Sequence, residues 1–128
     1  MDLQIHIHPP SEDTRRVSLV GRLDTHSYAE LDRQLAPLLE AHATRSLVLD
    51  LAELEYISSA GVRSILKARK AMAQRDGKVL VANPQAQIQK VFDVVRAVPM
   101  NEIFASVAEA DAYLDGVQRK VLRGDEDE

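Results

Sequence analysis

Cysteine is absent from the 128 residues, which excludes disulfides, thiolate metal sites and cysteine nucleophiles. Tryptophan is also absent and aromatic residues make up only 4% of the chain, so the core must rest on Leu, Val, Ile and Ala. No apolar run approaches the ~20 residues of a membrane-spanning helix, and no membrane insertion is expected. The segment Met1-Asp-Leu-Gln-Ile-His-Ile-His8 has neither a basic start nor a continuous apolar stretch, so it does not read as a signal peptide. A cytoplasmic location is expected. No Gly-rich phosphate loop occurs, which argues against a nucleotide hydrolase. A basic stripe is missing too. The net charge is -4, and Asp125-Glu-Asp-Glu128 alone contribute -4, so the rest is near neutral. Nucleic acid is therefore not an expected partner.

What is present suits one domain with one core: 45% apolar and 28% charged residues. Leu3, Ile5 and Ile7 alternate with polar residues and predict a half-buried strand, stopped by Pro9-Pro10. A second strand runs through Val17–Val20 and ends near Gly21. Asp24-Thr-His-Ser27 offers helix caps, and Tyr28, Leu31, Leu35, Leu38 and Leu39 follow at helical spacing. Pro37 should kink that helix or loosen a turn. Ser46–Asp50 reads as a central strand buried on both faces.

Residues 58–75 predict a second helix with Val62, Ile65, Leu66 and Met72 on its apolar face, and Arg69 awkwardly near it. Asp76-Gly77 closes it with a left-handed glycine. Residues 78–82 form another buried strand. Pro84 opens a third helix with the stripe Ile88, Val91, Phe92 and Val95. Residues 103–105 form a short strand. Ser106-Val-Ala-Glu109 matches a capping box for a last helix, whose face is Ala110, Tyr113, Leu114, Val117 and Val121. The order β-β-α-β-α-β-α-β-α implies an α/β domain: a mixed, mainly parallel β-sheet with about four helices packed on it.

The segment from Leu47 to Arg63 is the most informative. An apolar run ends in a polar turn, and Ser58 and Ser59 sit where a helix must begin. Helix starts favour negative charge, because unpaired N–H groups and the positive dipole end point there. A serine without an adjacent base is a poor nucleophile, and no His neighbours Ser58 in sequence. The hydroxyl is therefore read as acted upon, with an ordinary helix cap as the bland alternative.

Gly21-Arg-Leu-Asp24, Leu47-Val-Leu-Asp-Leu51 and Tyr56-Ile-Ser-Ser-Ala-Gly-Val62 together resemble the STAS domain family, which includes anti-sigma factor antagonists and cytoplasmic parts of sulphate transporters. The resemblance covers roughly residues 3–120. It implies a STAS domain over 1–122, and the acidic composition of 123–128 leads to the expectation of a solvated, disordered tail there. It implies no catalytic residues, cofactor or metal, so the chain is not expected to be an enzyme. It implies partner switching. An anti-sigma factor that is a serine kinase, with a histidine-kinase-like ATP site, binds the unphosphorylated protein and releases it on phosphorylation. A PP2C-type phosphatase reverses the mark. The position matched to the acceptor is Ser58, with Ser59 as the lesser candidate. Many members carry Asp just before the acceptor. Ile57 stands there, which makes that edge of the loop apolar. The implied partner surface comprises Asp24, Thr25, His26, Ile57, Ser58, Ser59, Val62 and Arg63. Alternatives are a scaffold subunit of a stressosome or lipid-transport ATPase, or a small-molecule or nucleotide sensor.

Other polar groups read as structural. Asp50 ends a strand. His6 and His8 share a strand face at a spacing compatible with metal, but without a further ligand they read as solvated. His26 and His42 read as surface groups. Glu53 and Glu55 lack the fixed pocket that paired carboxylates need for acid–base work.

Overall fold

A computed structural model describes residues 2–95 and 102–114. Five strands, β1 (Gln4–Ile7), β2 (Thr14–Leu23), β3 (Ser46–Ile57), β4 (Lys78–Ala82) and β5 (Ile103–Phe104), lie side by side in sequence order. β1 pairs antiparallel with β2, and the other pairings are parallel. Between the parallel strands run α1 (Tyr28–Glu40), α2 (Ser59–Ala73) and α3 (Ala86–Val95). A fourth helix, α4, is described over residues 107–114. Element order and sheet type are those predicted. The tail at 123–128 and the core positions Val117 and Val121 lie outside the described residues.

The sheet separates two apolar layers. On one face Val17, Leu19, Leu47, Leu49 and Leu51 meet α1 through Leu31 and Leu35, α2 through Ile65 and Met72, and α3 through Ile88 and Phe92. On the other, Val48, Leu80 and Ala82 meet α4 through Ala110 and Leu114, with Phe104 of β5 packed beside them. β3 and β4 are thus covered on both sides, as their uninterrupted apolar runs require. Each fully buried Leu contributes about 1.5–3 kcal/mol.

Several boundaries differ from the sequence expectations, each for a local reason. β3 does not stop at Asp50 but continues to Ile57, and β2 continues past Gly21 to Leu23. Two register shifts, between Ser18 and Val20 and between Gly21 and Arg22, give β3 an extra residue each time. They turn the buried set of β3 into Leu51, Leu54 and Ile57, a spacing of three that simple alternation does not reveal. Gly21 sits at φ +105, and a Cβ there would lie 2.3 Å from the Asp2 carbonyl oxygen. α1 runs through Pro37 as one helix. α3 begins at Ala86, two residues after Pro84.

Leu66 is 42% exposed rather than part of the apolar face. Arg69 falls there for a purpose: its guanidinium donates to the Val79 carbonyl at 3.0 Å and to Glu102 Oε1 at 2.7 Å. The left-handed residue after α2 is Asp76, at φ 60. Gly77 is needed for space instead, because a Cβ would lie 2.9 Å from the Arg45 carbonyl oxygen.

Candidate functional site

β2 and β3 are parallel neighbours, so the turns that follow them emerge at one edge of the sheet. Leu23 and Ile57 are register partners, and the Ser58 N–H donates to the Leu23 carbonyl at 2.9 Å. That bond joins the Asp24 loop to the Ser58-Ser59 turn.

The Asp24 loop is held by its own polar groups. The Ser27 hydroxyl donates to the Arg22 carbonyl at 2.8 Å and accepts from the Asp24 N–H at 2.9 Å. Asp24 Oδ1 accepts from the His26 N–H at 2.9 Å, and the Asp24 carbonyl accepts from the Tyr28 N–H at 2.9 Å. The carboxyl of Asp24 is held below its ordinary range, first by the His26 N–H and then by the Ser27 hydroxyl, with smaller help from His26 and Arg22. Asp24 therefore shapes the turn, while Thr25 and His26 stand exposed on it.

The second turn divides its two serines. Ser58 is extended (φ -96, ψ 175) and half-buried, and its Oγ accepts weakly from the Gly61 N–H at 3.4 Å. It is the N-cap of α2. Ser59 is the first helical residue and is exposed. Gly61 lets the helix start lie on the strand ends, for a Cβ there would meet Leu23 Cγ at 2.7 Å and Ile57 Cγ1 at 2.9 Å. Ile57 and Val62 are each 6% exposed. They support the edge from beneath and do not present it; the apolar group of Ile57 is turned into the core. Arg63 is exposed, four residues beyond Ser59.

Two further residues belong to this edge and escaped the sequence reading. Arg22 stacks on Tyr56, 4.1 Å from the ring centroid, and its Nε lies 3.7 Å from Asp24 Oδ2. The signal was available in the alternation of Arg22-Leu23-Asp24 beside Tyr56-Ile57-Ser58: Leu23 and Ile57 face the core, so their neighbours face outward.

The remaining candidates do not join this edge. Asp50 Oδ1 accepts from the Ala52 N–H at 3.1 Å and from Asn83 Nδ2 at 3.2 Å, a structural role. His8 is not simply solvated. Its Nδ1 lies 3.2 Å from the Arg16 guanidinium, which only donates, so Nε2 carries the proton and donates to Ser18 Oγ at 2.8 Å. In that tautomer His8 does not act as a base toward Ser18. Glu53 and Glu55 are exposed. Among the described residues no group of three His, Cys, Asp or Glu side chains is placed to hold a metal ion. No described helix is long and apolar enough to cross a membrane. An open cleft of about 570 Å³, lined by Ala52, Asn83, Gln85, Gln89, Phe104 and neighbours, has no ionisable side chain among the described residues that line it.

Fold and site together describe a small α/β module that displays two joined loops beside a helix start. The chain belongs to the STAS domain family, whose pattern matches residues 9–110. It is 32% identical over 76 residues to BtrV of Bordetella bronchiseptica, itself a candidate anti-sigma factor antagonist; the match covers 59% of this chain and 65% of BtrV. It is 26% identical over 83 residues to the anti-sigma-B factor antagonist of Staphylococcus epidermidis, covering 65% of this chain and 76% of that one. The fold is that of the anti-sigma factor antagonist SpoIIAA in its unphosphorylated form, with a TM-score of 0.77 at 20% identity over 88% of this chain and 97% of that one. The phosphorylated form of SpoIIAA, from Bacillus, is similar with a TM-score of 0.71, again at 20% identity, over 87% of this chain and 99% of that one.

Proposed function

We propose that this chain is an anti-sigma factor antagonist that works by partner switching. Unphosphorylated, it binds a serine-kinase anti-sigma factor of the histidine-kinase-like type through the edge formed by the Asp24 loop and the Ser58-Ser59 turn. In the switch, a serine Oγ attacks the γ-phosphorus of ATP held by that partner. ADP leaves, and the hydroxyl proton passes to a base on the kinase. A PP2C-type phosphatase hydrolyses the phosphoserine. The observation that carries this reading is the joining of the two loops by the Ser58–Leu23 backbone bond, beside an exposed serine at a helix start.

The geometry favours Ser59 as the acceptor, ahead of Ser58. Ser58 is half-buried and spends its oxygen on the cap, whereas Ser59 is exposed. This order also removes the anomaly at Ile57. The residue just before the acceptor is then Ser58, and Ser and Asp are both strong N-cap formers. Where relatives carry Asp, this chain carries a functional equivalent.

A phosphate adds about -1.5 to -2 charges at pH 7 and is tolerated at a helix start. The fold should therefore survive while the interface does not. A loss of ~3 kcal/mol weakens binding ~100-fold, enough for a switch. Incubation with ATP and the cognate kinase, followed by peptide mapping, tests the reading. Incorporation is expected in the native chain and in Ser58→Ala, and is lost in Ser59→Ala. Absence of labelling with every co-purifying kinase, or a stable complex only with a transporter ATPase, would reject it.

A further inference from the structure

Ser59 and Arg63 are four residues apart within α2, and both are exposed. Residues at this spacing lie on one helix face with Cβ atoms about 5–6 Å apart. The other cations around the edge are engaged: Arg22 stacks on Tyr56 and approaches Asp24, and further along α2 Lys67 pairs with Asp32 at 3.7 Å. Among the described residues no carboxylate pairs with Arg63. A guanidinium with no carboxylate partner among the described residues therefore lies one turn along from the exposed hydroxyl.

We propose that Arg63 is the intrahelical counter-ion of a phosphate on Ser59. Modification then makes two changes at once. It adds a dianion to the loop edge, and it takes up a cation that the unmodified edge offers to a partner. Arginine suits this role because its planar fork donates two N–H bonds to phosphate oxygens. Glu or phosphate N-terminal to a cation at this spacing also agrees with the helix dipole. Arg63 thereby stabilises the phosphorylated form within the chain itself, independently of any partner. A phosphate on Ser58 would find a different setting. Four residues on from Ser58 stands the buried Val62, and the neighbouring strand end carries the paired charges Arg22 and Asp24.

The inference rests on Ser59 as the acceptor, but its test needs neither kinase nor anti-sigma factor. The full chain is made with phosphoserine encoded at position 59, and the second ionisation of the phosphate is followed by phosphorus NMR. With Arg63 present, the midpoint is expected at least about 0.3 pH unit lower than in Arg63→Gln, about a twofold change in the acid constant. Arg63→Lys should fall between them, and Arg22→Gln should change the midpoint less than Arg63→Gln does. Both replaced side chains are on the surface, and an amide spectrum of each variant confirms the fold. Equal midpoints in the native chain and Arg63→Gln, or a larger effect from Arg22→Gln, overturn the proposal. Failure of kinase labelling with a positive NMR result would reject the partner-switching reading and leave the ion pair standing.

Discussion

Gly61→Ala isolates the contact on which the edge is built. The added methyl would meet Leu23 Cγ at 2.7 Å, the Leu23 carbonyl oxygen at 2.9 Å and Ile57 Cγ1 at 2.9 Å. The carbonyl cannot simply withdraw, because it accepts the Ser58 N–H at 2.9 Å. Leu23 and Ile57 are themselves packed, at 0% and 6% exposure. The helix start must lift or the bond between the loops must open. Overpacking costs about 1–3 kcal/mol, and contacts this short, one of them to a hydrogen-bonded carbonyl, put the cost here toward the upper end, about 2–3 kcal/mol. Alanine's better helix propensity returns at most about 1 kcal/mol. The net expectation is a destabilisation of about 1–2 kcal/mol, which for a domain of this size lowers Tm by about 3–8 °C. In urea the midpoint should fall with the slope unchanged. Gly61→Val should be worse by a further step, since two more methyl groups enter the same space. A Gly61→Ala chain as stable as the native one, or more so, would refute the close seating of α2 on the strand ends.

Four other outcomes follow from the same packing and hydrogen bonding. Ser58→Ala removes the cap of α2 and should cost about 0.5–1 kcal/mol in urea unfolding, toward the low end because the bond is long; exposed Ser59→Ala should stay within about 0.5 kcal/mol. Arg69→Ala should cost about 1–3 kcal/mol by thermal unfolding, since it strips Glu102 of its half-buried partner and the Val79 carbonyl of a donor. Asp24 has a lowered folded-state pKa, so its stabilising contribution is present above its unfolded pKa and is lost as pH falls through the lower folded value. Acid titrations of stability should accordingly show a smaller loss below about pH 4 in Asp24→Asn than in the native chain. Arg22→Ala should weaken anti-sigma factor binding with little change in Tm, because it uncovers Tyr56 and frees Asp24 at a surface where the ion pair itself is weak, readable by calorimetric titration.

Periodicity carried most of the architecture. The continuous apolar runs at Leu47–Leu49 and Val79–Val81 announced strands covered on both faces, and the helices followed from i, i+3, i+4 spacing. What failed was local and had a common origin. The two extra residues in β3 turn a period of two into a period of three, so Leu51, Leu54 and Ile57 resembled a turn. The helix face was read one residue too wide at Leu66, and the ion pair of Arg69 needed Glu102, 33 residues away, to make sense. At the site, both loops were legible from their turn residues, and parallel pairing put them on one edge. The roles of the paired serines were not. Spacing places a serine pair at a helix start, but only backbone geometry tells the cap from the exposed first residue. The outward direction of Arg22 and Tyr56 was legible from their core-facing neighbours Leu23 and Ile57, but their stacking needed the register that sets them opposite each other across two strands.

The bond that joins the two loops is made entirely by backbone atoms, Ser58 N to Leu23 O. No side chain is needed to keep the loops in register, apart from the room that Gly61 leaves. Displayed residues that do not hold the Asp24 loop, such as Thr25, His26 and Arg63, can therefore be exchanged without disturbing the spacing between the loops. Related proteins can diverge to about 20% identity and still superimpose with a TM-score of 0.77. A paralogue could acquire a new partner through surface substitutions alone, and many such pairs could coexist in one cell with their recognition written only in side chains.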